Sequence, residues 1–211
     1  MKQVALILLP VVLLGSTYLA FQGLVAALDV KLGYLGGFLF YWIVWCFLVS
    51  WWVLGTDQML RLFRDAPNRL GEPAWLGALF LILPLALGYG YAFPQAMGQA
   101  DARIIALSLI IAIVNGTLEE LLWRGAHVSI FPSSRFLATV YPAIGFAVWH
   151  SAPQTVVPST APGGALPLVP VAALVGLLRA QVAHRSGSIL RVTMSHMLFD
   201  FSGLGARIYV C

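Results

Sequence analysis

Residues 115–124 read Asn115-Gly-Thr-Leu-Glu119-Glu120-Leu-Leu-Trp-Arg124, and they lie inside an apolar run extending from Ile104 to Phe131. An ionisable side chain at the centre of a spanning helix costs on the order of 2.5–3.5 kcal/mol on insertion scales. Apolar segments therefore exclude such groups unless the groups have a use or a partner. Two later apolar runs break the rule in the same way: Phe146-Ala-Val-Trp-His150 and His196-Met-Leu-Phe-Asp200.

The surroundings of these segments decide the fold. Of 211 residues 60% are hydrophobic and only 9% are charged, against about 25% charged in soluble domains. A surface exposed to water cannot be covered with so few charges. Spanning helices need about 20 apolar residues, and reading for that length predicts Val4 to Leu28, Tyr34 to Gly55, Ala74 to Phe93, one within Ile104 to Phe131, one within Phe136 to Pro158, Leu168 to Ala183, and Ser188 to Leu204. Splitting one run at its prolines would add another. The expectation is an all-α polytopic membrane bundle of seven or eight transmembrane helices with an intramembrane polar cavity. It forms a single integral membrane domain, 1–211, whose motif-bearing part is 108–204. The first run is too long for a signal-peptide core of about 7–15 residues and reads as a retained helix.

Basic residues give the orientation, because cytoplasmic connections carry the excess of Lys and Arg. With the N-terminus inside, Lys2, Arg61, Arg64, Arg69, Arg124, Arg135, Arg179, Arg185 and Arg191 fall on the cytoplasmic side, and Lys31, Arg103 and Arg207 outside. The expected location is the cell (inner) membrane, with the lipid bilayer as partner and no nucleic acid. Cys46 and Cys211 form no disulfide or metal framework. Thr155 to Pro170, with Pro158, Pro162, Gly163, Gly164, Pro167 and Pro170, reads as a loop. Tyr41, Trp42, Trp45, Trp51, Trp52 and Trp75 read as an interfacial aromatic belt, and His127 and His184 as solvated residues.

Helical geometry separates the polar residues by role, since positions four apart share a face while neighbours diverge by about 100°. Glu120 and Arg124 stand in the favourable order for an intrahelical ion pair. Glu119 points elsewhere and keeps a carboxylate for a cavity. His196 and Asp200 share a face, so the carboxylate either orients the imidazole or lines the same wall. His150 lies over Phe146. Any one of these has a structural explanation, a snorkelling pair or a satisfied core histidine, but three such groups in a chain so poor in charge favour function.

Together the three segments resemble the motifs of the CPBP family, the CAAX protease and bacteriocin-processing proteins formerly grouped as Abi. Its pattern is Glu-Glu-x-x-x-Arg, Phe-x-x-x-His and His-x-x-x-Asn or Asp on successive membrane helices, matched here by Glu119, Glu120 and Arg124, by Phe146 and His150, and by His196 and Asp200. The resemblance covers the C-terminal half and implies a glutamate-type intramembrane peptidase acting on a membrane-anchored protein or peptide. It implies Glu119 as base, His150 as the residue that positions water and His196 as oxyanion donor, with no cofactor and no metal. Asp200 departs from the amide often found there, and when ionised it can only accept. It is expected either to hold the His196 tautomer or to be protonated. A prenylated C-terminus, a leader peptide and a C-terminal sorting signal all remain as substrate classes. The alternatives are a non-catalytic binding or immunity scaffold, a proton-relay transporter and a zinc-dependent peptidase. For Glu119 and His150 to meet, the fourth and fifth helices should cover Ser108 to Phe131 and Thr139 to Pro158, with both residues near mid-helix.

Overall fold

The computed structural model describes residues 1–159, 164 and 167–210, and among these residues every regular element is a helix. Helix α1 covers Lys2–Ala27, α2 Val30–Leu54, α3 Thr56–Leu62, α4 Ala74–Met97 and α5 Ala102–Ile130. Helix α6 covers 136–149, α7 Ser151–Gln154, α8 Leu168–Ser186, α9 Leu190–Ser202 and α10 Arg207–Val210. Four of them, α1, α2, α4 and α5, are long and apolar enough to cross a membrane. Val11 and Leu19 on α1 are 73% and 69% exposed, an outward apolar surface that suits lipid rather than water. The chain is a multi-pass membrane protein.

The later helices depart from the expected spans. Helix α6 runs through segments of 5 and 9 residues, and α9 has 13, so each reaches only about 20 Å, short of a hydrocarbon core of about 30 Å. Helix α6 stops at Trp149 because Pro153 has no N–H to offer the Trp149 carbonyl. His150 therefore sits at a helix end rather than in the middle of a span reaching Pro158. Pro170 belongs to α8, in whose first turn a missing N–H costs nothing. Of the expected 155–170 loop, residues 160–163, 165 and 166 lie outside the described residues, as does Cys211.

Local chemistry sets the boundaries. The Asp29 side chain accepts from Leu32 N and that of Asp101 from Ile104 N, each at 2.8 Å, capping α2 and α5. Gly187, at φ 71°, supplies the left-handed residue that ends α8. Beyond it, the Ser188 hydroxyl lies 3.0 Å from Leu62 O and 2.8 Å from Arg64 O, and Ile189 N donates to Leu62 O. These bonds tie the α8–α9 turn to the end of α3.

Two features of α2 and α5 position the site. Each contains a stretch of wider π turns, Tyr41–Val49 in α2 and Leu121–Ala126 in α5. Such stretches are rare and often mark functional places. Helices α5 and α9 also cross closely at Gly116, where a Cβ would lie 2.9 Å from Met197 N and 3.2 Å from its Cα. Only glycine permits that approach, and it brings the start of the Glu119–Glu120 turn against the helix that carries His196.

Candidate active site

Helix α5 delivers Asn115, Glu119, Glu120 and Arg124 to the bundle interior, α6 delivers Phe146 and His150, and α9 delivers His196 and Asp200. Glu119, Glu120, Arg124 and His196 are at most 3% exposed. The imidazole of His196 is the hub. Its Nδ1 stands 2.7 Å from Glu120 Oε1, and its Nε2 stands 3.4 Å from Glu119 Oε2 and 3.3 Å from Asp200 Oδ1.

Two guanidiniums balance the carboxylates. Arg124 Nη1 lies 3.2 Å from Glu120 Oε1, the intrahelical pair expected from the spacing, and its guanidinium carbon sits 4.4 Å from the centre of the Phe146 ring. Gly176 on α8 makes room for this stack, since a Cβ there would come 3.0 Å from Arg124 Nη2 and 3.1 Å from Phe146 Cδ1. The other guanidinium is Arg179, which the charge count had placed in a cytoplasmic connection. It is 1% exposed, lies 3.9 Å from Glu120 Oε1 and is 3.5 Å from the Ser195 carbonyl to which it donates. The correction has a simple cause. Helix α8 extends to Ser186, so Arg179 is two turns inside it and too deep to reach water.

His150 is not drawn into direct contact with the other ionisable groups. Its Nδ1 lies 2.8 Å from the Phe146 carbonyl, the geometry of an N–H donating along the helix, which leaves Nε2 without a hydrogen-bond partner among the described residues. The Phe146 ring meets it edge-on at 4.5 Å and meets His196 edge-on at 6.1 Å, so Phe146 neighbours both imidazoles.

A polar chain leads outward from Asp200. Asn115 Nδ2 donates to Asp200 Oδ2 at 2.7 Å, and Trp42 Nε1 donates to Asn115 Oδ1 at 2.8 Å. These residues form one wall of a cavity of about 200 Å³ whose remaining lining, including Tyr34, Phe38, Ile111 and Tyr209, is mainly apolar. Behind Glu119, Trp123 Nε1 donates to the Tyr41 hydroxyl at 2.8 Å, and Tyr41 stacks on Trp149 at 3.8 Å.

Tyr41 and Trp42 are thus core residues, 0% and 5% exposed, and not part of an interfacial belt, whereas Trp51, Trp52 and Trp75 are exposed as a belt requires. His127, expected in solvent, is fully buried beside Trp123 because α5 continues past it to Ile130. Sequence reasoning missed Asn115, Trp42 and Arg179 as site residues. Asn115, a polar residue one turn before Glu119 in an apolar run, carried a usable signal. Among the described residues no group of three or more His, Cys, Asp or Glu is arranged to hold a metal ion.

A multi-pass helical protein with a buried carboxylate–imidazole centre is the class defined by this fold and site. Residues 101–202, from the cap of α5 to the end of α9, match the family model described as type II CAAX prenyl endopeptidase Rce1-like. The match covers the same stretch as the motif resemblance and agrees with it, and the family it describes is one of CAAX prenyl endopeptidases. The chain matches none of the curated proteins and none of the solved structures.

Proposed function

We propose that the protein hydrolyses a peptide bond of a membrane-associated protein or peptide, using a water activated by Glu119. The observation that carries this reading is the Glu119 carboxylate, 1% exposed, whose Oε2 has no hydrogen-bond partner among the described residues although His196 Nε2 stands 3.4 Å away. A buried carboxylate oxygen left open has the free lone pair that a general base needs.

Charge counting supports a shared proton. Glu119, Glu120 and Asp200 face Arg124 and Arg179, which stay protonated, so one negative charge is left over. One proton held among Glu119, His196 and Asp200 makes the buried cluster neutral, as a low-dielectric site requires. In the reaction, water oxygen bonds to the scissile carbonyl carbon and gives its proton to Glu119. His196 Nε2–H donates to the developing oxyanion, and free Nε2 of His150 orients the water. Collapse of the intermediate breaks the C–N bond as Glu119 passes its proton to the leaving nitrogen. Glu120 holds the His196 ring from the other side.

For topology, burial of Arg124 and Arg179 removes them from the count. Across the four long apolar helices, Lys2, Arg61, Arg64 and Arg69 fall on the N-terminal side and outnumber Lys31 and Arg103 on the other. That favours a cytoplasmic N-terminus in a cell membrane.

The test is cleavage of a library of membrane-anchored peptides by the purified protein in vesicles. Cleavage is expected with the wild type, with a loss on the order of 10²–10⁴-fold in Glu119→Gln and His196→Ala. Unchanged cleavage by Glu119→Gln would overturn the assigned base.

A further inference from the structure

Asp200 lines the cavity with its Oδ1 3.3 Å from His196 Nε2, and an ionised carboxylate there offers no hydrogen-bond donor to a bound carbonyl. The side-chain amide bonded to Asp200 is that of Asn115. Its orientation is fixed by its neighbours: the Trp42 indole N–H can only donate, so it selects Asn115 Oδ1, and the Asp200 carboxylate accepts from Nδ2. An amide nitrogen carries two hydrogens. One goes to Asp200, and the other has no acceptor among the described residues, on a side chain that lines the cavity with Asp200 and Trp42.

We infer that Asn115 is an oxyanion-hole donor of this site: its free Nδ2–H contacts the scissile carbonyl oxygen, beside the proton on His196. This inference rests on the peptidase reading above. Asn115 lies one helical turn before Glu119 and lines the cavity beside Asp200, whose Oδ1 lies 3.3 Å from His196 Nε2, so the amide stands on the cavity wall next to the imidazole. Trp42 acts through Asn115. It keeps the amide from flipping, which would turn an acceptor toward the oxyanion.

The experiment uses full-length protein in vesicles and the peptide cleaved fastest in the library described above. Removing one oxyanion donor costs on the order of 10²–10³-fold in kcat. Asn115→Ala is expected to lose that much with KM little changed. Asn115→Ala/Asp200→Asn, which returns an amide to the pair, is expected to recover at least about tenfold over the single variant. A double variant no better than Asn115→Ala would overturn the inference and leave Asn115 as a holder of Asp200. So would an Asn115→Ala enzyme within about threefold of wild type while Glu119→Gln stays inactive; that pattern sinks the donor and spares the base. Should Asn115→Ala fail to fold, the exchanged pair Asn115→Asp/Asp200→Asn keeps one amide bonded to one carboxylate. It is expected to keep at least about a tenth of wild-type kcat, and a folded exchanged pair below about a hundredth would overturn the assignment. A wild type that cleaves no peptide removes the peptidase reading and this inference together.

Discussion

His196 Nδ1 and Glu120 Oε1 stand 2.7 Å apart, so the second glutamate of the pair, already held by two arginines, also fixes the catalytic candidate's imidazole. Its remaining nitrogen faces Glu119 and Asp200 together. The two adjacent glutamates thereby divide the labour, one anchoring the ring and the other left open beside it.

The anchoring role predicts a stability defect that the open glutamate does not share. Glu120→Gln removes the one carboxylate that lies against both Arg124 and Arg179, and breaking a buried pair by removing one partner costs about 3–5 kcal/mol. Thermal unfolding in detergent should show a large fall for Glu120→Gln and Arg124→Met singly. The double Glu120→Gln/Arg124→Met variant should regain at least half of the Arg124→Met loss. Single variants within about 1 kcal/mol of wild type would contradict the pairing.

Trp42→Phe keeps the ring and removes only the N–H that bonds Asn115 Oδ1. Leaving a largely buried acceptor unsatisfied costs about 1–3 kcal/mol. The expected result is a modest fall in thermal midpoint together with a lower kcat, since the Asn115 amide then samples both orientations. A Trp42→Phe protein with wild-type kcat would show that the orientation does not matter.

Outside the membrane, Asp65 joins the α3–α4 connection to α9 through Arg191 at 2.8 Å and to Arg69 at 2.9 Å. Its hydrogen bond from Arg191 holds the carboxyl below its ordinary value. A carboxyl lowered by folding contributes stability above the unfolded pKa of about 3.9 and loses that contribution as pH falls through the lower folded value. Asp65→Asn should therefore unfold slightly earlier than wild type near neutral pH, and the gap should close in acid well below the unfolded pKa. A gap that widens in acid would reverse the sign of this argument. The pair is exposed and screened, so high salt should shrink the difference as well.

Gly116→Ala places a methyl 2.9 Å from Met197 N, backbone that cannot swing aside. Helices α5 and α9 must separate, and the Glu119–His196 and Glu120–His196 distances with them. Both thermal midpoint and cleavage should fall, whereas Gly23→Ala on the exposed face of α1, with no described atom within 4 Å of its added carbon, should leave both close to wild type. Parallel measurements on the two variants check this.

The spacing of four that links Glu120 to Arg124 and His196 to Asp200 was legible in the sequence because a helix converts it directly into proximity. The helical membrane fold was legible because apolar length has few other readings. What escaped was the direction in which a residue faces within an apolar run. Tyr41 and Trp42 lie a few positions from Trp51 and Trp52, and composition cannot tell an inward indole from one at the lipid boundary. Arg179 was misplaced because counting positive charges assumes that a cation near a helix end reaches water. The short α6 was hidden too: its apolar character continues past His150, and only the missing N–H of Pro153 ends it. Asn115 lacked a charge, and its value depends on two partners 73 and 85 positions away.

The close crossing at Gly116 has a consequence for genetics. A residue with no functional group at all sits where a single added carbon moves Glu119 and the His196 imidazole apart, so an unbiased screen for inactive alleles will return this glycine among the glutamates and histidines. The abundance of each mutant protein in the membrane then tells the two kinds of hit apart: a lost acid or base leaves the protein in place, and a lost crossing depletes it.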